Sequence, residues 1–395
     1  MKEISRREAL KLGLLITASA HAASGKVFLS ATDYAGSPET VDWSKGIIAT
    51  TMHRKPTPKD LGSWGYAVSL YLYGQYLYYL RSGEKEHLNY IQGWVDSHVN
   101  DDGVIDRKNL DALDYMLPGN LLLVLYKETK LQKYKIAADA IRKRFDTYPR
   151  TEDGAFWHAT SRQHQLWLDG IFMSMPFLVR YGTAFNDKQY TCNEAVKQLL
   201  LYRQHLNDPA TGLMFHAYDE SGKQPWADPV THRSPIFWCR AIGWFGMALV
   251  EVLEILPHNH PHRTELIQQV RQLAAAYEKY QDSATGLWYQ VVDKGNLPEN
   301  WHETSSSCMY TYMLSRAMER GYISRHYAKV SRKGYSGILT KLSRDDQGFA
   351  HIADICEGTN VGDLAFYLAR PRSTDDFHGL GAFLIMNEQM RKKGI

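Results

Sequence analysis

Two kinds of helical pattern alternate along the chain. In one, apolar residues recur every three or four positions: Leu88, Ile91, Val95 and Val99; Tyr134, Ala137, Ala138, Ile141 and Phe145; Leu266, Val270, Leu273, Ala274 and Tyr277. That spacing puts the apolar side chains on one face of a helix whose other face meets water. In the other kind, at 64–80, 115–126, 171–181, 241–256, 308–318 and 377–390, nearly every position is apolar. A helix apolar on all sides must be surrounded by protein. A first outer helix is expected near 38–52, with Pro38 suited to its first position. The pattern then gives six outer and six inner helices in strict alternation. Six helical hairpins closed into an all-α (α/α)6 toroid, or barrel, is the fold this predicts. It explains how 395 residues share one core, when chains of this length ordinarily split into domains.

Acidic–glycine turns punctuate the outer helices: Asp101-Asp102-Gly103, Glu152-Asp153-Gly154, Asp208 to Gly212, Asp282 to Gly286, and Asp345 to Gly348. Inner-to-outer connections are short, whereas outer-to-inner ones run from roughly 10 to 35 residues. In an alternating toroid the long loops all emerge on one face, beside the N-termini of the inner helices. Loops gathered on a rigid scaffold usually carry function. The starts of five inner helices there carry Asp114, Asp169, Arg240, Glu303 and His378. Capping of orphan N–H groups accounts for acidic residues at such positions, Glu303 foremost. It does not account for Arg240, whose charge opposes the helix dipole.

Asp169 lies between Trp167-Leu168 and Gly170. Desolvation and a neighbouring Asp114 would raise its pKa while the helix N-terminus lowers it, a balance suited to a general acid/base. Asp111 is the alternative to Asp114; the later residue is preferred as the deeper. Arg240, bracketed by Trp238 and Trp244, could pair with a carboxylate while stacking, which suits an acidic sugar. His216, by itself, reads as an ordinary loop histidine.

Composition narrows the function. Aromatic residues make up 12% of the chain, and seven of its ten tryptophans lie between Trp157 and Trp301. Most should be core, but a clustered surplus also suits stacking on sugar rings. A net charge of +3 gives no basic footprint for nucleic acid, and no uncharged apolar run is long enough to span a membrane. The four cysteines have no CxxC spacing and read as buried thiols, with at most one pair. His258-Asn259-His260-Pro261-His262 resembles a metal motif but falls on a short turn away from the site face. HExxH, Walker, GxSxG and GxGxxG patterns are lacking, so neither cofactor nor metal is expected. Residues 1–22 carry a twin-arginine-like Ser5-Arg6-Arg7 and a small-residue cleavage site at Ala20-His21-Ala22. They read as an export signal ahead of one domain at 23–395, with the periplasm as the expected location.

Taken in chain order, a set of motifs resembles the unsaturated rhamnogalacturonyl hydrolases, glycoside hydrolase family 105. They are Leu113-Asp114 with Pro118-Gly119, Trp167-Leu168-Asp169-Gly170 with Met173 and Pro176, and Phe215-His216-Ala217. The run from Ser234 through Trp238, Arg240 and Trp244 follows, then Glu303-Thr304-Ser305 and His378-Gly379-Leu380-Gly381-Ala382-Phe383. The resemblance covers essentially the whole chain after the export signal. It departs at Ile242, where Asn is frequent, and at Asn120, where Arg is frequent; both are expected to alter subsites. The resemblance implies an (α/α)6 barrel that removes a 4,5-unsaturated galacturonic acid from the end of pectin fragments by hydrating its C4=C5 bond. Asp169 would protonate C4 and then activate the water, while Asp114 would hold substrate hydroxyls and keep the Asp169 pKa high. His216, Arg240 and Trp244 would bind the unsaturated ring, with Trp167, Trp238, Glu303 and His378 completing the substrate-binding set. The implied partner is the oligosaccharide alone. Two rivals share the same residues: a sugar epimerase or isomerase, which needs a His pair, and a glycan-binding protein, which needs no acid at Asp169. The source polymer, whether rhamnogalacturonan, ulvan or another uronate, stays open, as does the oligomeric state.

Overall fold

The Asp42 carboxylate accepts a hydrogen bond from Lys45 N at 3.1 Å and so opens the first helix, α1 (Trp43–Arg54). The computed structural model describes residues 41–107 and 109–392; Pro38 and the expected export signal lie outside these. The outer helices that follow are α3 (Lys85–Asp96), α5 (Gln132–Arg144), α7 (Lys188–Leu206), α9 (Arg263–Tyr280) and α11 (Ala328–Leu339). The inner ones are α2 (Tyr66–Ser82), α4 (Gly119–Thr129), α6 (Gly170–Ala184), α8 (Cys239–Ile255), α10 (Thr304–Glu319) and α13 (Phe377–Met390). A short helix, α12 (Leu364–Leu368), sits in the last long loop. Each inner helix packs on the next and α13 packs back on α2, while α1 packs on α13 to make the sixth hairpin from the two ends of the ring. The fold is the (α/α)6 toroid that the alternation predicts.

Small residues let the ring close. A Cβ on Gly74 of α2 would lie 2.6 Å from Leu384 Cβ, and one on Gly381 of α13 would lie 2.6 Å from Leu70 Cγ. The acidic–glycine turns stop the outer helices: Asp282 Oδ1 accepts from Ala284 N and Thr285 N, and Gly286 completes the turn at φ +79°. The helix expected at 115–126 starts later, at Gly119. Pro118 lacks an N–H, and within a helix its ring would clash with the carbonyl of residue 114, so Asp114 instead lies in a single 3-10 turn at Leu113–Tyr115.

The long loops hold three two-stranded antiparallel pairs: β1 (Gln165–Trp167) with β2 (Ala217–Asp219), β3 (Leu342–Arg344) with β4 (Ala350–Ile352), and β5 (Ile355–Cys356) with β6 (Arg372–Ser373). The aromatic surplus is mostly core. Trp64, Trp94, Trp238, Trp244 and Trp288 are all fully buried.

Polar side chains from the inner helices meet across the bore. Arg180 donates to Asn120 Oδ1 at 2.7 Å and to Glu251, and its guanidinium lies 4.8 Å from the Tyr73 ring centroid. Tyr312 also donates to Glu251, Arg316 binds Glu254 and Glu319, and Gln389 donates to Glu319 at 2.9 Å. All six inner helices thus contribute to one plug. Asn120 belongs to it, and Ile242 is packed inside α8 with its carbonyl accepting from Tyr277. Neither departure is among the residues that line the cavity described below. The four cysteines are buried and unpaired.

Candidate active site

At the end of the toroid where the inner helices begin, a cavity of about 240 Å³ is lined by Tyr66, Asp114, His158, Arg162, Trp167, Asp169, Thr359 and Asn360. Backbone pairing in the loops assembles it. An Ala112–Ala159 bridge, with Leu113 N bonded to His158 O at 3.0 Å, sets Asp114 beside His158, whose Nε2 is 3.8 Å from the carboxylate. The β1–β2 register matches Trp167 with Ala217, and Leu168 N bonds to His216 O at 2.8 Å. That register carries Asp169 to His216.

Asp169 precedes α6 but does not cap it; its side chain makes no bond to the helix N-terminus. Oδ2 instead lies 3.1 Å from His216 Nε2, and His216 Nδ1 lies 2.5 Å from the Tyr367 hydroxyl. Burial holds the Tyr367 pKa far above its ordinary value, so Tyr367 keeps its proton and donates it to Nδ1. The imidazole hydrogen then sits on Nε2 and is donated to Asp169.

The two carboxyls are pushed apart. Burial would raise Asp169, but His216 in front, with His158 and Arg240, outweighs it and holds the group below the ordinary carboxylate value. Burial raises Asp114; His158 opposes this and the Asp169 charge adds to it. The sequence reading put the raised pKa on Asp169. The structure reverses that order, because the buried His216 hydrogen bond goes to Asp169 and not to Asp114.

His378 reaches the cavity through Tyr66. Its Nδ1 is 2.5 Å from Asp376 Oδ1 and its Nε2 is 2.6 Å from the Tyr66 hydroxyl. Burial, helped by Arg240, holds His378 below the ordinary histidine value, so it is neutral and accepts the Tyr66 proton on Nε2. Tyr66 thereby turns its lone pairs toward the cavity. It is the first residue of α2, the sixth helix start, and the sequence reading passed over it for want of a charge.

Of the expected ligand residues Trp167 lines the cavity, His216 and His378 stand behind Asp169 and Tyr66, and four more are placed elsewhere. Arg240 is buried, donates to the carbonyls of Cys356 and Glu357, and lies 4.8 Å from the Trp238 ring centroid. Glu303 caps α10 through Ser305 N and Ser306 N and also accepts from Cys356 N at 2.9 Å. Both are spent anchoring the 353–357 segment, so they do not face the cavity with the aspartates. Trp244 is fully buried behind Tyr66 and Phe172, with ring centroids at 6.3 and 5.0 Å. Trp238 backs His216 at 4.6 Å. Trp167 does line the cavity, stacked on His158 at 4.6 Å. His158, Arg162, Thr359, Asn360 and Tyr367 were not singled out, because only long-loop pairing brings them in.

Among the described residues, Glu84, Glu86 and His87 offer ligand atoms within 4.8 Å of one another and could hold a cation. Glu84 precedes α3, and Glu86 and His87 lie in its first turn, outside the cavity lining. The histidine-rich turn is occupied by ordinary surface bonds, His260 to Asn193 and His262 to Glu265.

The family model described as Glycosyl Hydrolase Family 88 matches residues 43–393. The unsaturated rhamnogalacturonyl hydrolase YesR of Bacillus subtilis is 25% identical over 305 residues, or 76% of this chain and 81% of its own. The structure of a family 105 glycoside hydrolase from C. acetobutylicum superimposes with a TM-score of 0.85 at 32% identity, over 88% of this chain and 99% of that one. A possible member of family 105 from Klebsiella pneumoniae gives 0.75 at 26% identity, over 88% and 93%. The family model covers the ring from its first helix to its last: the chain belongs to glycosyl hydrolase family 88, and its solved relatives place it with the family 105 glycosidases.

Proposed function

We propose that this glycosidase removes a terminal 4,5-unsaturated uronic acid, with unsaturated galacturonyl-rhamnose as the preferred substrate, by adding water across the C4=C5 bond. A proton adds to C4 and leaves an oxocarbenium centre at C5; water attacks C5 and gives up a proton. The resulting hemiketal opens, and the neighbouring sugar leaves as an alcohol. The observation that carries this reading is one small cavity that brings two buried carboxyls together, Asp114 and Asp169, the latter hydrogen-bonded to His216, so that a carboxyl able to deliver and to take a proton faces the space for the sugar. The cavity of about 240 Å³ falls below the roughly 300–1,000 Å³ of a site for drug-sized ligands, which suits one terminal ring. Asp169 is assigned both steps, with His216 holding its proton-free form between turnovers and Tyr66 and Trp167 placing the ring. Arg240 acts from beneath through its charge. Residues 1–22 direct export in this reading, so the substrate is met outside the cytoplasm.

The raised Asp114 favours a second assignment, in which Asp114 donates the proton and Asp169 activates the water. Turnover of an unsaturated uronyl disaccharide, followed by loss of its enol-uronate absorbance, separates the two. Asp169→Asn should lose about 10²–10⁴ in rate, the contribution of a positioned acid/base, and still bind substrate. Asp114→Asn should bind more weakly and lose less. If Asp114→Asn is instead the more damaged variant, the second assignment holds.

A further inference from the structure

An acidic substrate has to enter an acidic cavity. Asp114 and Asp169 line it, and Arg240, the residue expected to meet a uronate, is buried with its donors on main-chain carbonyls. Among the described residues that line the cavity, the one permanently charged cation is Arg162. Its place is built. The turn from Ala159 to Arg162 is closed by a 2.9 Å backbone bond, and the guanidinium lies 5.3 Å from the Trp167 ring centroid. Trp167 also stacks on His158, so the imidazole and the guanidinium both lie against one indole. Its polar contact is weak: Nη2 lies 3.4 Å from Asn360 Oδ1, a neutral group on the facing loop. A carboxylate is a far better partner for the planar guanidinium fork than one amide oxygen.

We infer that Arg162 recognises the carboxylate of the uronic acid and sets the preference for an acid over a neutral sugar. The assignment rests on the proposed function. On binding, the fork leaves Asn360 and takes the carboxylate, while stacking on Trp167 keeps its plane fixed. Binding that is equal in ground and transition states appears in KM and leaves kcat alone.

The test compares unsaturated galacturonyl-rhamnose with its methyl ester for the wild type, Arg162→Gln and Arg162→Lys. The wild type should favour the acid. Arg162→Gln should raise KM for the acid by roughly 10- to 100-fold, as expected for a lost charged hydrogen-bond pair, with kcat and the ester kinetics little changed. Arg162→Lys should recover part of the loss. Arg162 is exposed, and circular dichroism checks that each variant is folded. An unchanged acid-to-ester ratio in Arg162→Gln overturns the assignment of Arg162 alone. A wild type that turns over neither compound overturns the proposed function, and this inference with it.

Discussion

Replacing His216 with Phe tests the pKa argument at its centre. The ring size is kept, but the hydrogen bond to Asp169 and the partner of Tyr367 are both removed. A hydrogen bond to a charged group contributes about 1.5–3 kcal/mol, and one pKa unit corresponds to about 1.36 kcal/mol. Burial, which opposes His216 at this site, is left behind. The Asp169 pKa should therefore rise. If Asp169 must be protonated in the step that limits turnover, activity falls as pH rises through its pKa, and the alkaline limb moves upward. If Asp114 is the donor, Asp169 must be ionised, and the acid limb moves upward instead. Initial rates on an unsaturated uronyl disaccharide across roughly pH 4 to 9 read out both limbs. The unpaired Tyr367 hydroxyl should cost about 1–3 kcal/mol of stability, which a His216→Phe/Tyr367→Phe double variant relieves. A folded His216→Phe whose limbs both stay in place would refute the claim that His216 holds Asp169 low.

Glu303→Ala should destabilise by about 3–5 kcal/mol in denaturant melts, because it strips an acceptor from Ser305 N, Ser306 N and Cys356 N and the countercharge from buried Arg240; Glu303→Gln should lose less, and equal losses would show that the charge is immaterial. Gly286→Ala drives its Cβ into the Lys333 carbonyl in addition to the about 1–2 kcal/mol of left-handed strain, whereas Gly348→Ala, with no atom within 4 Å, meets the strain alone. Calorimetric melting should rank Gly286→Ala as clearly the worse, and equal shifts would remove the close contact from the account.

The ring was legible because burial on all sides leaves an unmistakable composition: α6, α8 and α13 are apolar at almost every position. The helix starts were legible only in part: α4 begins at Gly119, beyond Pro118, and α10 begins at Thr304, ahead of the apolar run at 308–318. What lay beyond was direction. A charge at the first turn of an inner helix looks alike whether it faces the cavity, as Asp169 does, or turns aside to hold a crossing segment, as Arg240 and Glu303 do. Tyr66 occupies the equivalent sixth position without a formal charge, so a search for ionisable groups missed it. His158, Arg162 and Tyr367 join the site through pairings between loops far apart in sequence, which no local periodicity encodes. The order of the two aspartate pKa values depended on which carboxyl received the buried imidazole, and that was fixed by the register of a three-residue strand pair.

The plug of Arg180, Glu251, Tyr312 and their neighbours turns the ring into a cup. A ring open at both ends would let a polysaccharide thread through and be worked along its length. A stoppered one is a cul-de-sac: under the proposed function a chain end enters it, and the severed sugar leaves through the mouth it came in by. Under the proposed function each cleavage is then a separate visit, made by a chain end that comes and goes at one mouth.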